Sequence, residues 1–357
     1  MRKYHQLTVS GKYEETPDSV RLALSVPETV QGEFEFLPGQ HLPMQIELDG
    51  KPVRRSYSIC SAPGEWPLEI GVRVQPGGLF SEYVQNELKV GDQLDVMPPF
   101  GQFHANIDPA ARKTYLALVA GSGITPILSI VRTVLEQEPG SNVVLFYGNR
   151  RQQTTMFIDD LYALKNRFPE RLQLYFLFSQ EAQEFDIFSG RLDETKVPEL
   201  YQAFCDGMQP DEVFICGPDT MIDTASEALK SLGVDETHIH IERYGAPRKG
   251  GSPRREAPVT GGDKLASVDV IMDGHRKSFD FPEGAENLVD AAADQGIDLP
   301  YSCKGGVCAT CRTHVREGEV TMATNYGLEP WEVEKGFVLA CQSIPVSDRI
   351  TIDYDKT

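Results

Sequence analysis

Four cysteines constrain this sequence more than any other feature. Cys303, Cys308 and Cys311 fall within the nine residues "CKGGVCATC", and Cys341 follows thirty positions later in "FVLACQS". The C-x4-C-x2-C…C spacing is that of thiolates holding a [2Fe–2S] cluster. Soft thiolates suit ferric iron, and three closely spaced cysteines wrap a loop around the metal. Gly305 and Gly306 let the backbone approach closely and reach positive φ. A four-cysteine zinc site usually shows two C-x2-C pairs, and only one pair here has that spacing. Iron is the expected metal and a zinc-binding scaffold the alternative.

The chain has 357 residues, enough for two or three domains at roughly 100–200 residues each. A net charge of −19 argues against nucleic acid or an anionic membrane as partner, since phosphates are bound by basic surfaces. The first residues show no apolar leader and no apolar run reaches membrane-spanning length, so a cytoplasmic location is expected. Seven cysteines, an odd number, favour metal ligation or free thiols over disulfides in a reducing compartment. Cys60 and Cys205 read as ordinary thiols.

The rhythm of the chain divides it further. Residues 1–108 carry short alternating apolar runs between Gly, Pro and Asp turns, the pattern of an antiparallel β-barrel. Residues 109–245 alternate strands ("TYLALVA", "NVVLFY", "LQLYFLF", "DEVFIC", "THIHIE") with helices near 126–137, 157–168, 197–205 and 219–232, implying an α/β parallel sheet. The stretch 246–263, rich in Gly, Pro and charge, reads as a flexible linker. Residues 264–357 hold the cysteines, with nine basic and sixteen acidic residues. That unit carries more than its share of the negative charge.

Residues 264–357 resemble plant-type ferredoxins, an α+β (β-grasp) fold, on the cysteine spacing, the "GEV" turn at 318–320 and "NYGLEP" at 325–330. Upstream, "RRSYS" (54–58), "GVRVQPGGLFSEYV" (71–84) and "MPPFGQF" (97–103) stand in the order of the flavin segments of the ferredoxin–NADP reductase superfamily. The resemblance implies FAD. It places Arg55 on the pyrophosphate, Ser56 and Tyr57 along the flavin, and Ser58 near the flavin N5. A forked guanidinium suits a diphosphate and an aromatic face suits a planar ring. Val72, Arg73 and Val74 belong to the second segment, with a solvated strand arginine as the other reading of Arg73. Gly77, Gly78, Leu79, Phe80 and Ser81 would present N–H groups to the pyrophosphate at a helix start.

"AGSGITP" (120–126) and "ICGPDTM" (215–221) resemble the same family's pyridine-nucleotide loops. The likeness brings Gly121, Gly123, Thr125 and Pro126 to the nicotinamide, with Cys216, Gly217 and Pro218 beside it. "IERYG" (241–245) stands where relatives keep an aromatic residue near the flavin, so Tyr244 or Glu242 lines the site. Ser58, Cys216 and Tyr244 are the candidate catalytic residues. Arg150 and Arg151 in "YGNRR" offer charge for a 2′-phosphate. Gln180 stands where many NADPH-preferring relatives carry arginine. Both nucleotides stay open, with a lean to NADPH.

Taken together, the chain is similar to the reductase components of bacterial multicomponent oxygenases, in particular the phenylacetyl-CoA epoxidase reductase-subunit type, on "YGNRR", "SGRLD", "GEVTMATNYGLEP" and "VLACQS". The resemblance implies an NAD(P)H:ferredoxin-type oxidoreductase passing electrons from NAD(P)H to FAD to [2Fe–2S] to an oxygenase component. No small organic substrate beyond NAD(P)H is expected. The alternatives are the reductase of a Rieske oxygenase such as a 3-ketosteroid 9α-hydroxylase, and a general NAD(P)H:acceptor reductase. A linker at 246–263 would let the ferredoxin part alternate between flavin and acceptor.

Overall fold

The computed structural model describes residues 3–205, 207–244 and 264–356. The expected linker 246–263 lies outside the described residues. Two compact units result, one comprising His5–Val53 and Tyr57–Tyr244, the other containing the cysteine cluster.

The first unit begins with a barrel. Its strands are β1 (His5–Thr16), β2 (Ser19–Ser25), β3 (His41–Leu48), β4 (Lys51–Ser58), β5 (Leu68–Arg73) and β6 (Gln93–Val96), with helix α1 (Leu79–Asn86) between the last two. They pair in the order β4-β3-β6-β1-β2-β5, antiparallel for β1 with β2 and β6, β2 with β5, and β3 with β6. The sheet closes where Ile59, just past β4, bridges Ile70 of β5, and Cys60 N–H donates to Glu69 O at 2.8 Å. Closure removes the exposed edges of an open sheet. Alternate residues point inward, so Leu7, Val9, Leu22, Leu24, Ile70, Val72 and Phe80 are at most 1% exposed. Each such side chain contributes about 1.5–3 kcal/mol by leaving water.

The same unit continues as an α/β layer: β7 (Thr114–Ala120), α2 (Ile124–Gln137), β8 (Asn142–Asn149), α3 (Ile158–Arg167), β9 (Leu172–Phe178), α4 (Lys196–Phe204), β10 (Glu212–Gly217), α5 (Asp219–Ser231) and β11 (Ile239–Arg243). The sheet order is β11-β10-β7-β8-β9, and its pairs are all parallel. The order reverses between β7 and β10, and ligands of open α/β sheets bind in the crevice at the strand ends there. Helix α2 starts at Ile124, two residues before the expected 126, because Gly121–Gly123 form a tight turn. Pro126 thus sits in the first helical turn, where its missing N–H leaves no intrahelical bond unmade. In the third helix Leu161 and Leu164 form the buried face, while Phe157 and Phe168 stand at its two caps.

The second unit contains β12 (Lys264–Met272), β13 (His275–Pro282), α6 (Leu288–Ala293), β14 (Arg312–Glu317), β15 (Val320–Met322), α7 (Pro330–Glu334), β16 (Phe337–Leu339), β17 (Ser343–Pro345) and β18 (Arg349–Asp353). A five-stranded sheet runs β13-β12-β18-β14-β16, and β15 pairs with β17 separately. β12 and β18 are parallel while the other pairs are antiparallel, the mixed α+β arrangement expected. Val268, Val270, Phe281, Leu288, Ile350 and Ile352 fill its core at 0–1% exposure. Among the described residues no helix is long and apolar enough to cross a membrane.

Candidate functional site

The loop between α6 and β14 brings Cys303, Cys308 and Cys311 together, and the turn after β16 adds Cys341. The backbone wraps by taking left-handed conformations at Lys304, Gly306 and Ala309. At Gly306, φ is +75° and a Cβ would stand 3.0 Å from Thr324 O, so only glycine fits without strain. Polar hydrogens turn toward sulfur. Gly305 N–H donates to Cys303 Sγ at 3.3 Å, Cys308 N–H to Cys303 Sγ at 3.4 Å, and Cys303 N–H to Cys308 Sγ at 3.4 Å. Thr310 Oγ1 donates to Cys308 Sγ at 3.2 Å, and the Gln342 amide reaches Cys341 Sγ at 3.6 Å.

These contacts sort the thiols into two pairs. A hydrogen bond from the Cys308 thiol, followed by backbone N–H groups of Cys308, Gly305 and Val307 acting against burial, lowers the Cys303 pKa to about 5. Its partner Cys308 is pushed up by the same shared hydrogen bond. Cys341 is lowered by the thiol of Cys311, which is itself pushed up. Among the described residues no three His, Cys, Asp or Glu side chains close around a single ion. A two-iron cluster with two thiolates per iron needs such a pairwise arrangement.

Strand β4 carries Arg55 to the surface, Ser56 and Tyr57 half-buried, and Ser58 buried. The Tyr57 ring lies 5.3 Å from that of Phe80. Val72 is part of the barrel core, leaving only its backbone for a ligand. Val74 N–H is taken by Asp18 O at 2.9 Å. Arg73 is not a solvated strand arginine, its side chain being 18% exposed. It pairs with Asp18 at 2.7 Å and donates to Thr154 O at 2.8 Å. Gly77 turns the chain at φ +76°, but its N–H goes to Glu82 Oε1 at 2.7 Å and Gly78 N–H to Gln75 O at 2.8 Å. Leu79, Phe80 and Ser81 supply the first helical turn of α1, with Ser81 Oγ bonded to Gln75 N–H and Gly78 O.

The two nucleotide loops meet at the switch point. Val119 of β7 pairs with Cys216 of β10, and Gly123 is pressed so closely on Cys216 that a Cβ would collide with its carbonyl and lie 3.1 Å from its sulfur. Gly217 is equally confined, 2.9 Å from Met221 Sδ and 3.2 Å from Ala120 Cβ for an added Cβ. Gly121 is left-handed at φ +56°, and its carbonyl accepts from Tyr147 OH at 2.9 Å. Pro218 caps α5, whose first residue Asp219 is held by Arg243 at 3.2 Å.

Three segments far apart in sequence converge on one hydroxyl. Tyr244 OH lies 3.0 Å from Ser58 Oγ and 3.0 Å from Thr125 Oγ1, and Thr125 also donates to Ser122 O at 3.0 Å. Tyr244 is 41% exposed, but its hydroxyl end is enclosed. That burial, with Cys216 and Glu242 nearby, pushes the phenol pKa well up. Cys216 is fully buried and its pKa is likewise raised by burial and then by Glu242. Glu242 pairs with Cys216 across the parallel strands and lies 3.9 Å from His41 Nδ1. Arg150 and Arg151, at the end of β8, are exposed; Gln180 N–H donates to Arg150 O at 2.9 Å. Sequence reasoning missed Thr310 and Gln342, whose one signal is adjacency to Cys311 and Cys341.

Family models match in the same order along the chain. An oxidoreductase FAD-binding domain matches residues 6–105, an oxidoreductase NAD-binding domain 118–227, and a 2Fe-2S iron-sulfur cluster binding domain 270–346. The chain is 42% identical to a component of the 1,2-phenylacetyl-CoA epoxidase of Escherichia coli (strain K12), over 99% of both chains. The chain belongs to the reductase components of multicomponent oxygenases. A second member, the 3-ketosteroid-9-alpha-monooxygenase ferredoxin reductase component of Rhodococcus rhodochrous, is 33% identical over 98% of this chain and 96% of its own. The fold is that of phthalate dioxygenase reductase, with a TM-score of 0.59 at 22% identity over 98% of each chain. As a member of this family the protein is an oxidoreductase using FAD, a [2Fe–2S] cluster and a pyridine nucleotide. The residues present suit these groups: paired thiols under N–H donors for iron, and an aromatic ring beside a glycine turn and helix start for a flavin nucleotide.

Proposed function

We propose that this reductase component serves a phenylacetyl-CoA epoxidase in the cytoplasm, in phenylacetate catabolism, and delivers electrons from NADPH to a di-iron oxygenase component. The observation that carries the reading is the 42% identity sustained over 99% of both chains with the epoxidase component, against 33% for the ketosteroid reductase. The proposed domains are 1–108 for FAD, 109–245 for the nucleotide, 246–263 as linker and 264–357 for the cluster. The matched spans 6–105, 118–227 and 270–346 support them.

Bound FAD would supply hydride acceptance from the nicotinamide and one-electron release toward the cluster. Arg55 would hold the diphosphate by a forked guanidinium, and the first turn of α1 (Leu79, Phe80 and Ser81) would add N–H donors. Tyr57 would pack against the ring system, with Ser58 at its reactive edge. Gly121, Gly123, Thr125, Pro126, Cys216, Gly217 and Pro218 would shape the nicotinamide side. Alignment then supplies most of the acceleration, and no strong acid or base is required. Cys216, a neutral buried thiol, and the Tyr244 hydroxyl would orient groups rather than ionise. Arg150 and Arg151 favour NADPH because they offer two cations to a 2′-phosphate. Cys303, Cys308, Cys311 and Cys341 would hold the cluster.

Reconstitution tests this directly. The purified protein is expected to show flavin bands over an iron–sulfur envelope, to oxidise NADPH in preference to NADH, and to support turnover by the oxygenase component of phenylacetyl-CoA epoxidase. Turnover with a ketosteroid Rieske oxygenase instead would move the protein to that branch. Colourless protein carrying stoichiometric zinc would defeat the electron-transfer reading.

A further inference from the structure

The segment after β8 is held at four points, three of them by the barrel. Arg73 donates to Thr154 O at 2.8 Å. Tyr147 OH, which also holds the Gly121 carbonyl, reaches Met156 O at 3.3 Å. The Phe157 N–H donates to Glu15 Oε1 of β1 at 2.7 Å. Asp160 is gripped by Arg21 of β2 and by Arg132 at 3.1 Å. At the centre sits Phe157, fully buried and left-handed at φ +58°. A bulky residue holds that conformation only where its surroundings impose it, and such strain gathers at functional sites.

What the strain accomplishes is visible in the ring's position. The Arg21 guanidinium lies 4.7 Å above it. Its edge and the Thr125 methyl converge on Gly71 of β5, where a Cβ would stand 2.8 Å from both Phe157 Cζ and Thr125 Cγ2. Gly71 is paired with Arg21 on the neighbouring strand β2. The barrel therefore meets the start of α2 at Gly71, where the Thr125 methyl and the Phe157 ring pack side by side with no slack. Thr125 in turn bonds Tyr244 OH, which bonds Ser58.

We propose that Phe157 is a positioning residue: packed beside Thr125 against Gly71 and clamped by Glu15 and Arg21, it sets how deeply the nucleotide loop seats against the flavin barrel. It touches no reacting group and acts through Thr125. The inference rests on the reading of 120–126 as the nicotinamide loop. Seating errors of an ångström misalign hydride donor and acceptor, and such misplacement costs on the order of 10²-fold in rate.

Anaerobic stopped-flow with NADPH and its 4-deuterated form, on full-length holoprotein, tests the proposal. Phe157→Leu and Gly71→Ala are each expected to slow flavin reduction about tenfold to a hundredfold and to raise the primary isotope effect. Nucleotide KM, FAD content and the cluster spectrum should stay near wild type. Because leucine removes Cζ, the Gly71→Ala/Phe157→Leu double variant should recover part of the rate lost in Gly71→Ala. Wild-type reduction rates and isotope effects in both single variants, with only a lower Tm, would overturn the proposal. So would multiplying losses in the double variant. A wild-type protein that fails to reduce its flavin with either nucleotide overturns the functional reading itself, and that outcome is visible before any variant is made.

Discussion

Cys303 and Cys216 are the same residue type in one chain, tuned in opposite directions. Cys303 lies in a loop whose N–H groups and neighbouring thiol stabilise negative charge, and its pKa falls to about 5. Cys216 lies at a strand end with Glu242 beside it and no surface exposed, and its pKa is driven up. The first environment makes a thiolate for a metal. The second keeps a thiol neutral and small in a cleft where shape matters. The two also differ in how they are built: the cysteine loop takes three thiols from nine consecutive residues, whereas the cleft takes Ser58, Thr125, Cys216 and Tyr244 from four separate segments.

The largest effect should come from the metal loop. Cys308→Ser is expected to abolish the iron–sulfur absorbance and electron delivery to a protein acceptor, while FAD remains bound and NADPH-to-dye turnover stays within about twofold. Loss of FAD as well, by flavin extraction and absorbance, would mean that the two regions are not independent. In the cleft, Gly123→Ala forces a methyl into the Cys216 carbonyl. Overpacking of this kind costs about 1–3 kcal/mol, and the displaced loop should slow flavin reduction on the order of 10²-fold, with the cluster spectrum unchanged. Single-turnover reduction and visible spectra separate the two; a normal rate would show that the cleft tolerates a shift that the close packing forbids.

The smallest effect concerns a thiol outside both regions. Burial raises the pKa of Cys205 from 9.0 to about 11. The folded protein therefore holds this proton while the unfolded chain releases it, so stability is fully present below pH 9 and falls as pH rises from 9 toward 11. The slope is at most about 1.4 kcal/mol per pH unit. Thermal melts at pH 8 and pH 10.5 should show the Tm advantage of wild type over Cys205→Ala narrowing. A constant difference would mean that Cys205 is solvated in the folded state.

Much of this molecule was legible because its signals are local. The cysteine spacing pointed to metal and the strand–helix alternation to a parallel sheet, and both follow from periodicity within a few residues. The protein partners of Arg73 were not legible: its side chain pairs with Asp18 and Thr154 O, which are 55 and 81 positions away. The N–H groups of Gly77 and Gly78 were expected to be donors for a phosphate. Glu82 and Gln75 engage them, a local competition that composition does not reveal.

The sequence by itself determined the order of the matched domains and the cysteine spacing typical of a [2Fe–2S] domain, since each is written in local patterns whose conformational demands are short-range. Only the tertiary structure decided that Tyr244 meets Ser58 across 186 positions, that Gly123 lies against Cys216, and that Phe157 stands left-handed between barrel and sheet. Contacts of that separation close long loops, and what fixes them is the packing of whole layers rather than the preference of any one segment.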